Sequence, residues 1–214
     1  MSLIQKLISE DKYKLKCPYT MKPKGICIHN TANDAKAQNE ISYMQNNQSS
    51  TSFHIAIDDN EAILGIPLNR NTWHAGDGEN GYGNRNYISV EICYSKSGGE
   101  RFNKAEIRAA KEVAALLKEY GWTINNIKKH QDFSGKYCPH RTLDLGWQRF
   151  LNLVQKELNN INSNSNVELY RVRKTFEDAK SQIGAFSILE NAKRCSDMNK
   201  GYSVFNSNGT KIYP

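Results

Sequence analysis

The sequence predicts an α/β domain, a central mixed β-sheet flanked by helices, with a small α+β module at its C-terminal end. Three observations carry that expectation. Strand and helix signals alternate from about residue 25 to residue 158. An Asn/Ser-rich stretch at 159–167 then offers nothing to bury. Beyond it, residues 168–214 begin a second, shorter series of strand, helix and hairpin.

Taken in order, Leu3, Ile4, Leu7 and Ile8 have helical spacing and predict a short amphipathic helix. Gln5, Lys6 and Glu10 interrupt it, so it lacks the continuous apolar core of a signal peptide. The runs 25–28, 53–57 and 88–93 are rich in β-branched residues or alternate in polarity, and predict strands. Residues 35–46 predict a helix. A longer one is expected over 104–120, capped by Asn103 with Glu106 at the capping-box position. Ile107, Ala110, Ala114 and Leu117 form its stripe, and Gly121 stops it. A further helix over 146–157 places Trp147, Phe150 or Leu151, Val154 and Leu158 on one face. Asn and Ser favour turns and solvated backbone, so 159–167 reads as a linker between a domain at 1–158 and a module at 168–214. In that module the signals are a strand at 169–173, a helix at 189–199, and a hairpin from 202–205 to 211–213 across Asn206-Ser207-Asn208-Gly209.

Composition excludes several classes. The mean hydropathy is −0.70, and the longest apolar stretches fall far short of the ~20 residues of a membrane helix. The expectation is therefore no membrane span, and a chain made in a cytoplasm and released by a route other than Sec. A net charge of +7 calls for an anionic partner, nucleic acid or an anionic polymer surface. The basic residues are scattered, with no run longer than Lys128-Lys129, which disfavours nucleic acid. The module holds eight Lys/Arg against five Asp/Glu, so both parts are mildly basic. Five cysteines, an odd number and widely spaced, do not form a disulfide framework; they remain available as core thiols or metal ligands.

Zinc prefers imidazole and thiolate, and a catalytic site needs three protein ligands with a fourth position open. His29 ends an apolar strand, and His130 and Cys138 follow with a spacing that lets a loop fold back onto one metal. Taken alone, each of the three also reads as a packed or hydrogen-bonded residue. The neighbouring strings add specificity: Gly25-Ile26-Cys27-Ile28-His29-Asn30-Thr31, Ser52-Phe53-His54-Ile55-Ala56-Ile57-Asp58-Asp59, Thr72-Trp73-His74-Ala75-Gly76 and Gly135-Lys136-Tyr137-Cys138-Pro139-His140 occur in that order.

Over roughly residues 20–155 this order resembles the type 2 N-acetylmuramoyl-L-alanine amidases, the family of many phage endolysins and bacterial autolysins, which share a fold with peptidoglycan recognition proteins. The resemblance implies Zn2+ held by His29, His130 and Cys138, with Glu91 facing the water and Lys136 aimed at the scissile carbonyl. It implies a substrate groove walled by Trp73, His74 and Ala75. Asn30 and Thr31, and also Asn84 and Arg85, are candidates to line it. His54 is read as an orienting or packed histidine and His140 as a residue near the metal. Cys17, Cys27, Cys93 and Cys195 are read as ordinary thiols. The implied activity is hydrolysis of the sugar–peptide amide of peptidoglycan in Gram-positive, clostridial-type walls, after holin-type release from the cytoplasm. The module at 168–214 looks like the wall-targeting modules of clostridial lysins, and its Gln182-Ile183-Gly184-Ala185-Phe186 stretch is similar to peptidoglycan-binding SPOR domains. Its ligands would be the wall and its anionic polymers; a dimerising or stabilising appendage is the alternative. Two other readings of the whole chain stay open: a non-catalytic peptidoglycan-recognition protein, which Cys138 disfavours, and a zinc peptidase acting within the stem peptide.

Overall fold

The computed structural model describes residues 3–165 and 168–214, which fall into two compact units, Met1–Ile161 and Asn162–Pro214. In the first, the elements run β1 (Ile4–Gln5), α1 (Tyr13–Lys16), β2 (Gly25–Asn30), α2 (Ala37–Asn46), β3 (Ile55–Ile57) and β4 (Ala62–Leu64). Then come α3 (Tyr82–Asn86), β5 (Tyr87–Ile92), α4 (Gly99–Tyr120), β6 (Ile127–Lys129), α5 (Gln131–Ser134), α6 (His140–Asp144) and α7 (Trp147–Ser165).

The six strands form one mixed sheet in the order β1-β4-β3-β5-β2-β6, with only the β3–β4 pair antiparallel. All six residues of β2 are buried, as expected of a central parallel strand covered on both faces. Gly25 opens it because a Cβ there would lie 2.2 Å from the Asn126 carbonyl oxygen. Parallel pairing sets His29 directly beside Glu91, so the polar ends of β2 and β5 emerge together at the carboxyl edge of the sheet. That edge is where open α/β sheets place their ligands. Helices α2, α4 and α7 supply the cover, with Ile41, Met44, Phe102, Leu116, Leu117, Phe150 and Val154 in the core.

Three expectations are corrected. Residues 3–8 form no helix: Ile4–Gln5 adds an edge strand to β4, and the Lys6 and Ile8 amides donate to the carbonyls of Leu64 and Gly65. Pairing an open sheet edge outweighs a short helix, whose nucleation is unfavourable. Helix α4 starts at Gly99, a full turn before Asn103, because Phe102 packs into the core; Glu106 serves no capping box but pairs, buried, with Arg149. Its end is as expected, at Gly121 in the left-handed conformation (φ +67°). Residues 159–165 are no solvated turn but the last turns of α7, since Ile161 extends the Val154–Leu158 stripe onto the core. Residues 166 and 167 of the expected linker lie outside the described residues.

The second unit carries β7 (Tyr170–Arg173), β8 (Gly184–Phe186), α8 (Leu189–Asp197), β9 (Ser203–Phe205) and β10 (Lys211–Tyr213). Its antiparallel sheet has the order β10-β9-β7-β8. Val172, Ala192 and Val204 form a small core beneath α8. Asn206 Oδ1 accepts from the Asn208 and Thr210 amides and closes the expected hairpin. Strand β8 lies in the Gln182–Phe186 stretch, where the short apolar run gave no strand signal. Among the described residues no helix is long and apolar enough to cross a membrane.

Candidate metal centre

The structure brings His29, His130 and Cys138 together. His29 sits one residue from the end of β2, buried on both sides by neighbouring strands. His130 follows β6, and its amide donates to the Ile28 carbonyl (3.3 Å), which docks it beside His29. The loop from 131 to 138 is closed by the Gln131 amide on the Cys138 carbonyl (3.0 Å), so the seven-residue spacing returns the thiol to the same place. His130 Nδ1 lies 3.1 Å from His29 Nδ1, and Cys138 Sγ lies 3.9 Å from it. All three groups are buried, with ligand atoms within 4.8 Å of one another.

That donor set fits a zinc ion. Donors around tetrahedral zinc are separated by about 3.3–3.6 Å, given metal–nitrogen and metal–sulfur bonds of ~2.0–2.3 Å. Burial and the neighbouring imidazoles hold His29 neutral, well below the ordinary histidine range, and burial also lowers His130. Two neutral rings then face each other through Nδ1, an arrangement a shared cation stabilises. Cys138 is pushed up to about 11 by burial and the Glu91 charge, while the Asn30 amide donates to it and favours its thiolate.

Glu91 Oε1 lies 3.9 Å from His29 Nδ1, on the side of the three ligand atoms. Its side chain keeps 17% exposure, but Oε2 is buried without a hydrogen-bond partner. Burial first, and Glu40 second, raise the carboxyl to about 8. Glu91 and exposed Lys136 share the lining of a cleft of about 350 Å³ with Thr31, Glu40, Tyr43 and Phe53. Thr31 Oγ1 is a second buried group without a partner there. Asn30 reaches the same cleft but is spent structurally: its Oδ1 accepts from the Arg141 and Thr142 amides and ties β2 to α6.

The expected groove wall divides. Trp73 is half-buried, donates through Nε1 to the Leu15 carbonyl and meets Tyr19 edge-on. It lines a separate hollow of about 620 Å³ with Tyr19, Glu79 and Asn84, outside the Glu91 cleft. Arg85 stacks on Tyr19 beside it. His74 and Ala75 form no wall, a correction: both are buried, and their amides donate to Asn84 Oδ1 at 2.8 Å each instead of facing a ligand. His54 is packed, bonded to Ser89 and the Arg70 carbonyl, as the sequence suggests. His140 is set aside from the three ligands, its Nε2 3.4 Å from the Ser95 carbonyl.

Cys27, an ordinary thiol by sequence alone, has its Sγ 3.1 Å from His29 Nε2. With His74 it makes a second buried cluster around His29. Strand alternation held the signal: residues 27 and 29 share one face of β2.

Comparison with known proteins finds relatives in both sequence and fold. A family model described as N-acetylmuramoyl-L-alanine amidase matches residues 19–141. N-acetylmuramoyl-L-alanine amidase CwlA of Bacillus subtilis is 58% identical over 167 residues, 78% of this chain and 61% of that protein. Amidase XlyB of the same organism is 62% identical over 154 residues, 72% of this chain and 49% of its own. The chain thus spans about half to three fifths of the length of these relatives. Among solved structures, PlyL superposes with a TM-score of 0.70 at 55% identity, covering 72% of this chain and 97% of its own. The catalytic domain of XlyA does so with a TM-score of 0.66 at 38% identity, over 72% and 99%.

Proposed function

This chain belongs to the N-acetylmuramoyl-L-alanine amidase family, and from that premise we propose that it hydrolyses the amide joining N-acetylmuramic acid to L-alanine in bacterial peptidoglycan. Zn2+ is the cofactor, held by His29, His130 and Cys138. The observation that carries the reading is the Glu91 carboxyl, its buried Oε2 without a hydrogen-bond partner, beside those three converging residues in the lining of a cleft.

When bound, zinc supplies Lewis acidity, which polarises a carbonyl and acidifies water. Glu91 acts as general base and acid. It takes the proton of the attacking water as the new carbon–oxygen bond forms, then returns it to the alanine nitrogen as the carbon–nitrogen bond breaks. Burial raises this carboxyl above the ordinary carboxylate range, which makes its ionised form a stronger base. Lys136, exposed on the cleft rim, offers its ammonium to the negative charge growing on the carbonyl oxygen.

The test is digestion of purified walls, reading free N-terminal alanine against new reducing sugar ends. New alanine amines support the amidase. Reducing ends alone would overturn it, and binding without either product would return the recognition-protein alternative. The Bacillus origin of the relatives supports a Gram-positive wall, and clostridial walls belong in the same digest as the finer host class.

Residues 168–214 are proposed to hold the enzyme on the wall, with anionic wall polymers as candidate ligands. Support comes from a folded unit with its own small core and a net basic charge. Cell-wall sedimentation of the full chain, compared with a chain ended after residue 165, tests this. Equal binding would move targeting into the larger unit, and a change in molecular mass on truncation would instead reveal oligomerisation.

A further inference from the structure

His29 is gripped on the side away from Glu91 by a series of hydrogen bonds whose direction can be worked out. It begins at a carbonyl. The Gly83 oxygen can only accept, so His74 Nε2, 3.2 Å away, carries the His74 proton. A neutral imidazole carries a single ring proton, so with it on Nε2 the His74 Nδ1 is a bare acceptor. His29 Nε2 lies 2.9 Å from that acceptor and must be the donor. A neutral imidazole protonated at Nε2 has its lone pair on Nδ1, and His29 Nδ1 is the atom that faces His130 and Cys138.

The other histidine lies beside the same segment: the His130 Nδ1 faces His29, and its Nε2 borders the turn at Gly76, where an added Cβ would lie 3.4 Å from it. His74 and Ala75 are held from behind. Asn84 Oδ1 accepts the His74 and Ala75 amides together, and Asn84 Nδ2 donates to the Gly78 carbonyl. The Asp77 carboxylate in turn accepts from the Gly83 and Asn84 amides.

We propose that His74 is a positioning residue that locks His29 as the Nε2–H tautomer and so aims its Nδ1 at the metal. Asn84, which accepts the His74 and Ala75 amides together, holds His74 in place for this. The proposal rests on the zinc reading above and deepens it. Outer partners of this kind typically change metal affinity by about 10–100-fold when removed. A second metal among Cys27, His29 and His74 would instead require His29 to lose both ring protons.

Two measurements test it. Long-range proton–nitrogen NMR of the full wild-type chain, metal-free and zinc-loaded, is expected to find His29 and His74 protonated at Nε2 in both states. A proton on His29 Nδ1 would overturn the proposal without any variant. Chelator competition is then expected to show one zinc per chain, bound roughly 10–100-fold more weakly in His74→Leu. His74→Asn, whose amide oxygen can stand near the Nδ1 position, should recover most of that loss. Unchanged affinity in His74→Leu, or an equal loss in both variants, overturns the positioning role. Two zinc ions per chain, with one lost in Cys27→Ser, overturns it in favour of a second metal site. No zinc bound by the wild type would overturn the metal reading itself, while the metal-free tautomers still report on the hydrogen bonds.

Discussion

Acid should unfold this protein partly through a histidine far from any catalytic role. His54 is fully buried just before β3, and its two ring nitrogens have fixed and opposite duties. Nε2 donates to the Arg70 carbonyl at 2.8 Å, and Nδ1 accepts from the Ser89 amide at 3.0 Å. A second proton would set the Nδ1 and Ser89 amide donors face to face away from water, and burial lowers this group from 6.5 to about 4. In the unfolded chain the ring protonates below ~6.5, whereas the folded chain resists until pH falls to about 4. The stabilisation is therefore present above the unfolded value and drains away as the pH drops between the two. Linkage gives a loss of about 2 kcal/mol between pH 7 and pH 5, approaching ~3 kcal/mol below pH 4. Urea unfolding with chelator present, at both pH values, for wild type and His54→Gln, isolates the term. The variant should be less stable at pH 7, with a gap that narrows by about 2 kcal/mol at pH 5. A gap independent of pH would refute the assignment of a neutral, doubly bonded His54.

Other consequences are as direct. Glu91→Gln keeps the shape and removes the proton carrier, so wall hydrolysis should fall about 10²–10⁴-fold with one zinc still bound; turnover within tenfold of wild type would sink the acid–base role. Cys138→Ser should weaken zinc beyond the 10–100-fold expected of outer partners, read by the same chelator competition. Removing the metal from wild type at a free concentration near 100 Kd should lower the unfolding free energy by about 2.7 kcal/mol, seen as a drop in Tm, and a Tm indifferent to chelator would argue against a structural bond to the ion. Phe150, fully buried on α7, should cost about 3–5 kcal/mol when cut to Ala, measured by urea unfolding of the full chain.

What could be read from the chain in advance follows the range over which each feature is determined. Strands β2, β3 and β5 announce themselves because a buried parallel strand needs an apolar run within itself. The end of α4 is equally local, since Gly121 alone supplies the left-handed turn. Its beginning is not local: Phe102 recruits an extra turn only because the core has room for it. The edge strand at Ile4 depends on β4, some sixty residues away, and no periodicity within the segment records that partner. Residues 159–165 mislead for a related reason. Asn and Ser disfavour a helix on average, but one apolar residue, Ile161, at the right offset from Leu158 anchors the last turns.

The site divides along the same line. The grouping of His29, His130 and Cys138 is legible from the order of the neighbouring strings, since by residue type and spacing alone each also reads as a packed residue. Their orientation left no such mark. For His29 it is set by the His74 ring, whose own proton is placed by the Gly83 carbonyl, a group every residue possesses. The Trp73-His74-Ala75 string points to a place near the chemistry but not to its side, since burial against Asn84 is decided by the turn from Asp77 to Gly83. Substitutions along 74–84 should therefore act first on metal affinity, and on substrate only through it. Trp73, one residue earlier and facing the other hollow, should do the reverse. Trp73→Ala with zinc affinity within about threefold of wild type but weakened wall binding would place the boundary between the two roles at a single peptide bond; a zinc loss matching that of His74→Leu would erase it.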